Sequence, residues 1–205
     1  MIAVIDYGAG NLQSVVKALK HIDCDCIVTN NKNDILNSDG ALLPGVGSFG
    51  DSMDSMNKTG TSDAVIEFVK TGKPFLGICL GLQLLFKASE ESPDVNGLGL
   101  LKGSITRIPS DNGRLKIPHM GWNSLDIRKK DGLYKGIDDN PYVYFVHSYY
   151  LKAEDENIVS AKTYYGTAID ASVQYKNIFA TQFHPEKSGK VGLKILNNFV
   201  EITKG

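Results

Sequence analysis

The sequence predicts an α/β protein built on an open, mostly parallel sheet flanked by helices. Two patterns carry that prediction. Short apolar runs alternate with amphipathic stretches through the N-terminal half, as βαβ units require. A final stretch then places Val191, Ile195, Leu196, Phe199 and Ile202 at helical spacing. Residues 1–5 read as the first strand, because they lack the basic segment that opens a signal peptide. The helix after it presents Leu12, Val15, Val16, Leu19 and Ile22 on one face, with Asn11 as its cap. Further strands are expected at 26–29, 41–44 and 74–78, with helices between them. Residues 80–86 look like the start of another helix. From 98 to 183 the helical signal fades and short strands take over, including 142–150, 167–174 and 177–183. No repeat or low-complexity linker interrupts the chain, so residues 1–205 are expected to form one domain. A length of 205 residues with 42% hydrophobic content can bury one substantial core.

The chemistry concentrates in Gly77-Ile78-Cys79-Leu80-Gly81, which reads as a cysteine set on a sharp strand-to-helix turn. Small residues on both sides let the backbone fold tightly enough to expose a nucleophile. A thiol at a helix N-terminus also meets the positive end of the helix dipole, which favours the attacking thiolate. A lone Cys in an apolar run is more often simply core. The second segment, His184-Pro185-Glu186, tips the balance. It ends an apolar, β-branched run, and residues two apart in an extended chain share a face. Pro185 is expected to hold that extended geometry. A cysteine nucleophile needs a base, and the base needs a third group to set its tautomer. Cys79, His184 and Glu186 supply these types.

Other segments exclude alternatives. Gly45-Val46-Gly47-Ser48-Phe49-Gly50 fits a dinucleotide-binding glycine pattern. The acidic residue such a site wants about 20 positions later would be Glu67, inside a helical stretch. The turn can instead aim backbone amides at an oxyanion, or serve tight packing alone. With 22 basic and 23 acidic residues the net charge is −1, which argues against nucleic acid or a membrane surface as a partner held by bulk charge. No apolar run approaches the roughly 20 residues of a membrane span. Cys24-Asp25-Cys26 is too closely spaced for a zinc half-site and has no partner pair, so no metal is expected. Three cysteines without a disulfide framework point to a cytoplasmic chain with reduced thiols.

The elbow with Gln83 behind it, together with His184-Pro185-Glu186, resembles the class I glutamine amidotransferases. The likeness narrows to the branch that serves imidazole glycerol phosphate synthesis. It rests on Asp6-Tyr7-Gly8-Ala9-Gly10-Asn11-Leu12, Pro44 to Gly50, Pro118-His119-Met120-Gly121-Trp122-Asn123, Tyr144 to Tyr150, and Lys187-Ser188. The resemblance implies a flavodoxin-like domain with a strand-rich second half that hydrolyses L-glutamine through Cys79, His184 and Glu186. It assigns oxyanion donors to Val46 and Leu80, and glutamine binding to Gly47, Gln83, Glu91, Ser148 and Tyr149. Glu91 beside Glu90 also suits a solvated helix end. The resemblance implies no cofactor. It does imply a heterodimer with a (β/α)8-barrel cyclase, docked near Asn11, Met120, Trp122, Tyr144 and Lys187. Trp122 is the only Trp and suits an interface anchor or the core equally. His119 and His147 read as structural or interface residues. Ile169 stands where the family more often has Phe, a difference of packing. A paralogous glutaminase feeding another synthase would look the same in these motifs. A stand-alone cysteine hydrolase of the same superfold would need neither Gln83 nor His-Pro-Glu.

Overall fold

In a computed structural model, which describes residues 1–8 and 11–205, strands and helices alternate through the first half. The order is β1 (Ile2–Ile5), α1 (Leu12–His21), β2 (Cys26–Thr29), α2 (Lys32–Asn37), β3 (Gly40–Gly45), α3 (Phe49–Thr59), α4 (Thr61–Lys70), β4 (Phe75–Cys79) and α5 (Leu80–Gln83). Strands then dominate: β5 (Phe86–Ser89), β6 (Leu101–Arg107), β7 (His119–Ser124), β8 (Asp126–Ile127), β9 (Tyr142–His147), β10 (Tyr149–Ala153), β11 (Val159–Tyr164), β12 (Ala168–Tyr175) and β13 (Ile178–Thr181). Helix α6 (Gly189–Ile202) closes the chain. Within the motif at 6–12, Ala9 and Gly10 lie outside the described residues.

The main sheet runs β2-β1-β3-β4-β13-β12-β11-β8. Its first five strands are parallel, and β12, β11 and β8 extend it antiparallel. The parallel part has the flavodoxin-like order. Strands β1, β3, β4 and β13 are buried along their whole length, which is why they read as continuous apolar runs rather than alternating ones. Ala3, Ile5 and Leu43 pack on one face with Phe49, Met53, Val65 and Phe68 of α3 and α4. Val4, Leu42, Leu76 and Ile78 pack on the other with Leu19 of α1 and Ile195, Leu196 and Phe199 of α6. The amphipathic faces expected of α1 and α6 are thus the ones buried. Asn11 caps α1 by accepting from the Ser14 amide.

Three expectations are corrected. The helix expected over 80–86 lasts only through Gln83, and β5 begins at Phe86. Leu84, Leu85 and Phe86 are all fully buried, so no solvent face remains for a helix. The carbonyls of Leu84 and Leu85 instead accept from Leu98, Leu100 and Leu101. The run 142–150 is broken at Ser148 into β9, paired with β7, and β10, paired with β6. The extended geometry expected through Glu186 ends at His184, and Pro185–Lys187 form a 3-10 turn with Pro at its start, where its missing N–H costs nothing. Ile169 is buried in a small cluster with Ile108 and Tyr150.

A tight constraint lies where α5 crosses β3. A Cβ on Gly81 would come within 2.0 Å of the Leu43 carbonyl oxygen, a backbone atom that cannot give way. Gly72, in contrast, has a positive φ of 81° but open space around it among the described residues. Gly81→Ala is therefore expected to cost about 3 kcal/mol and Gly72→Ala about 1 kcal/mol. Urea unfolding midpoints of the two variants, at unchanged m-value, check the difference.

Candidate active site

Cys79 ends β4 with φ 55° and ψ −108°, a conformation that non-glycine residues rarely adopt. Holding it costs on the order of 1–3 kcal/mol, so the surroundings must enforce it. Three glycines do so by letting backbones close up. A Cβ on Gly77 would lie 2.6 Å from the Gly81 carbonyl oxygen, and one on Gly45 would lie 2.8 Å from Leu80 Cβ. Gly81 makes the third approach, against β3. In register, Gly45 pairs with Cys79 and Thr181 with Ile78. The C-terminal ends of β3, β4 and β13 therefore meet, bringing residues 46, 79 and 184 together from three distant parts of the sequence.

His184 follows β13 in extended conformation and is almost fully buried. Its amide donates to the Tyr144 carbonyl at 3.0 Å, and its carbonyl accepts from Ser188 Oγ at 2.6 Å. The 3-10 turn swings Glu186 back so that Oε1 lies 2.7 Å from His184 Nδ1. The intended pairing is therefore reached by a turn instead of a strand. Nε2 carries no hydrogen bond among the described residues, leaving that edge of the ring free to exchange a proton. Burial alone depresses the imidazolium, but the interactions with Cys79 and Glu186 outweigh it and raise the pKa to about 9.

Cys79 and His184 share a cavity of about 360 Å³. Val46, Gly47 and Leu80 line it on one side, and Gln83, Glu91, Ser148 and Tyr149 line it elsewhere. Gly47 has φ 103° and open space around it among the described residues. Glu91 is not a helix end: it follows β5, and its Oε2 accepts from the Phe49 amide at 2.8 Å. That bond ties the acidic loop to the start of α3, just beyond the Val46–Gly47 turn. Gln83 Nε2 donates to the Tyr149 carbonyl at 3.0 Å and to Gln182 Oε1 at 3.1 Å. Gln182 is a residue the motif reading passed over. It lies one residue past β13 and two positions before His184, a spacing that gives a shared face in extended chain, and its Nε2 is 3.7 Å from Cys79 Sγ.

His119 and His147 are buried, as structural histidines would be. His147 also lines the cavity. His119 Nδ1 lies 3.0 Å from His147 Nε2, and His147 Nδ1 lies 2.9 Å from the Tyr149 carbonyl. That carbonyl only accepts, so His147 carries its proton on Nδ1 and accepts from His119 at Nε2. The chain is satisfied with both rings neutral. Burial pushes His119 down to about 4 and His147 down to about 3.

The five residues that the resemblance assigns to docking differ in exposure. Met120 and Trp122 are 62% and 56% exposed, so Trp122 is not a core residue. Trp122 pairs with Tyr144 across β7 and β9, with ring centroids 6.2 Å apart. Tyr144 and Lys187 are half-buried, Asn11 is exposed, and α1 packs against the turn that holds Lys187. Among the described residues no group of three His, Cys, Asp or Glu is placed to hold a metal. No helix there is long and apolar enough to cross a membrane.

A cysteine elbow at the end of a central parallel strand, facing a histidine fixed by a carboxylate, defines a thiol-dependent amidotransferase or hydrolase class. The profile of the family glutamine amidotransferase class-I matches residues 3–202. Imidazole glycerol phosphate synthase subunit HisH from Bacillus cereus (strain B4264) is 50% identical over 199 residues, covering 97% of this chain and 93% of that one. The subunit of the same description from Methanocaldococcus jannaschii is 48% identical over 202 residues, covering 98% of this chain and all of that one. Among solved structures, a glutamine amidotransferase superposes with a TM-score of 0.78 at 19% identity, covering both chains fully. PurLQS from Thermotoga maritima gives a TM-score of 0.74 at 21% identity, covering 98% of this chain and 97% of that one. These two share the fold. The chain belongs to the class-I glutamine amidotransferase family and is an enzyme of that class.

The neutral histidine pair makes the site sensitive to acid. In the unfolded chain each histidine gains its proton near pH 6.5, whereas in the fold each stays neutral until about pH 4 or below. Their contribution to stability is present above pH 6.5 and is lost as pH falls toward those folded values. The urea midpoint of the wild type is expected to fall more between pH 7 and pH 5 than that of His119→Gln. Parallel curves for the two proteins would show that His119 carries no such linkage.

Proposed function

We propose that this chain is a glutaminase subunit that hydrolyses L-glutamine and passes ammonia to a (β/α)8-barrel cyclase partner, which makes imidazole glycerol phosphate in histidine biosynthesis. The observation that carries the chemistry is Cys79, held at positive φ on a cavity it shares with His184, whose Nδ1 is fixed by Glu186. The partner and pathway rest on relatives named as HisH at 47–50% identity over nearly the whole chain. On this reading residues 1–205 act as one cytoplasmic domain that needs no cofactor.

Cys79 Sγ attacks the side-chain carbonyl carbon of glutamine while His184 Nε2 takes the thiol proton. The C–N bond then breaks, and His184 returns that proton to the departing nitrogen, which leaves as ammonia. Water then attacks the thioester carbon while His184 takes its proton, the C–S bond breaks to release glutamate, and His184 returns the proton to Cys79 Sγ. Glu186 keeps the ring oriented and stabilises its charge. The Val46 and Leu80 amides bind the oxygen that becomes negative in each tetrahedral intermediate. Gly47, Gln83, Glu91, Ser148 and Tyr149 hold the glutamine.

Ammonia released into neutral water becomes ammonium, which is no nucleophile, so a sealed route to a partner is required. Met120, Trp122 and Tyr144 present exposed or half-buried aromatic and apolar surface beside the cavity, and Asn11 and Lys187 extend that face. Apolar and aromatic anchors of this kind suit an interface. A paralogous partner synthase would leave the glutaminase chemistry unchanged. Co-purification, and the product formed with added cyclase, distinguish the two.

Cys79→Ala is expected to abolish glutamine-dependent synthesis by the complex while ammonia-dependent synthesis stays near wild type. Equal loss of both would place Cys79 in folding or docking instead. The isolated chain is expected to release glutamate at least roughly a hundredfold more slowly than the complex with a nucleotide analogue bound. Gly47 leaves the turn free to rotate, and one missing oxyanion donor costs that much. Steady-state glutamate assays on the chain, the complex and the liganded complex test this gating, and comparable rates would refute it.

A further inference from the structure

Resting on the assignment of Cys79 as nucleophile, we infer that Gln182 is a further catalytic residue: its side-chain amide donates a hydrogen bond to Cys79 Sγ and stabilises the thiolate. The contact is 3.7 Å from Nε2 to sulfur, between a fully buried glutamine and a nearly buried cysteine.

The orientation of the amide follows from its neighbours. The Tyr149 main-chain oxygen can only accept, so the Gln83 atom 3.0 Å from it must be the nitrogen. The same nitrogen lies 3.1 Å from the Gln182 side chain. Its second hydrogen needs an acceptor there, which makes that atom of Gln182 the oxygen. The other end of the Gln182 amide, a donor with no lone pair to offer, is thereby turned toward sulfur. The main chain is equally fixed, since the Gln182 amide donates to the Ala171 carbonyl at 2.8 Å. His147 grips the same Tyr149 oxygen from another side.

The arrangement provides for both forms of the sulfur. The Val146 carbonyl, 3.9 Å from Sγ, is an acceptor that suits a protonated thiol. Gln182 is a donor that suits a thiolate. Between two buried side chains, an oriented N–H weighs more on the charged form than it would in solution. No new covalent step is added: the thiol proton still passes to His184, and Gln182 shifts the balance toward the pair of charges that results.

The test is the rate at which iodoacetamide alkylates Cys79 in the full chain, followed by mass spectrometry of its peptide so that Cys24 and Cys26 do not contribute. In Gln182→Met that rate is expected to fall roughly tenfold at pH 7, the weight of a hydrogen bond to a charged group. The gap should close as rising pH makes the thiolate complete in both proteins. An unchanged rate at pH 7 in a variant that melts like the wild type would overturn the inference, and so would an equal deficit at every pH. Should the variant not fold, NMR of the wild type decides. The Gln182 side-chain amide protons are expected to shift with pH in step with the alkylation profile, and protons that hold still would overturn the role. Labelling of wild-type Cys79 by a diazoketone analogue of glutamine separates the premises. Failure there removes the nucleophile and with it the catalytic role, whatever the amide protons report.

Discussion

The structure depends on a close approach of backbones at one corner of the sheet, where the turn from β4 into α5 lies directly against β3. Gly77, Gly81 and Gly45 each stand where a side chain would collide with main chain or with Leu80. Their absence of a Cβ lets the chain reverse at Cys79 at the cost of an unfavourable φ. That cost is sustained by the continuous burial of β3, β4 and β13 on either side. The same parallel register aligns the strand ends, so the elbow, the Val46–Gly47 turn and His184 arrive together without any long loop to carry them.

Around this corner, polar side chains are fixed by one another and by main-chain carbonyls. Tyr149 is the hub, its carbonyl accepting from both Gln83 and His147. The hub exists because the strand breaks at Ser148, sending β9 and β10 into different sheets. A continuous strand would have spent that carbonyl on a neighbour. The break therefore converts a ladder position into a lining of the cavity. Glu91 acts likewise on the opposite wall, where a carboxylate holds a main-chain amide of α3 and so restrains the loop next to it.

Much of this was legible in the sequence, for identifiable reasons. The parallel strands announced themselves as apolar runs because both of their faces are covered, and α1 and α6 because each buries a single stripe. The elbow was readable because only small residues permit it. What escaped were features decided by tertiary contacts. Leu84, Leu85 and Phe86 carry no periodicity that separates helix from strand, and only their complete enclosure shows that a helix had no solvent side to present. The turn at Pro185 was misread because Pro favours extended predecessors and also opens helical turns, and the hydrogen bond from Ser188 to the His184 carbonyl favours the second. Gln182 escaped because a glutamine inside an apolar run has no motif of its own. Its neighbour two residues on was the clue.

Trp122 is the only tryptophan in the chain, and it stands outside the core with Tyr144 beside it. This arrangement turns the molecule into its own optical reporter. Ultraviolet emission from the indole carries no contribution from a buried second fluorophore of the same kind. Any body that covers this ribbon moves the indole from water into a drier medium, and the emission moves to shorter wavelength as it does so. Association at this face can accordingly be timed in unlabelled protein, with a tryptophan-free partner, by an observable that global unfolding displaces in no comparable way, because the ring is already wet before the chain unfolds.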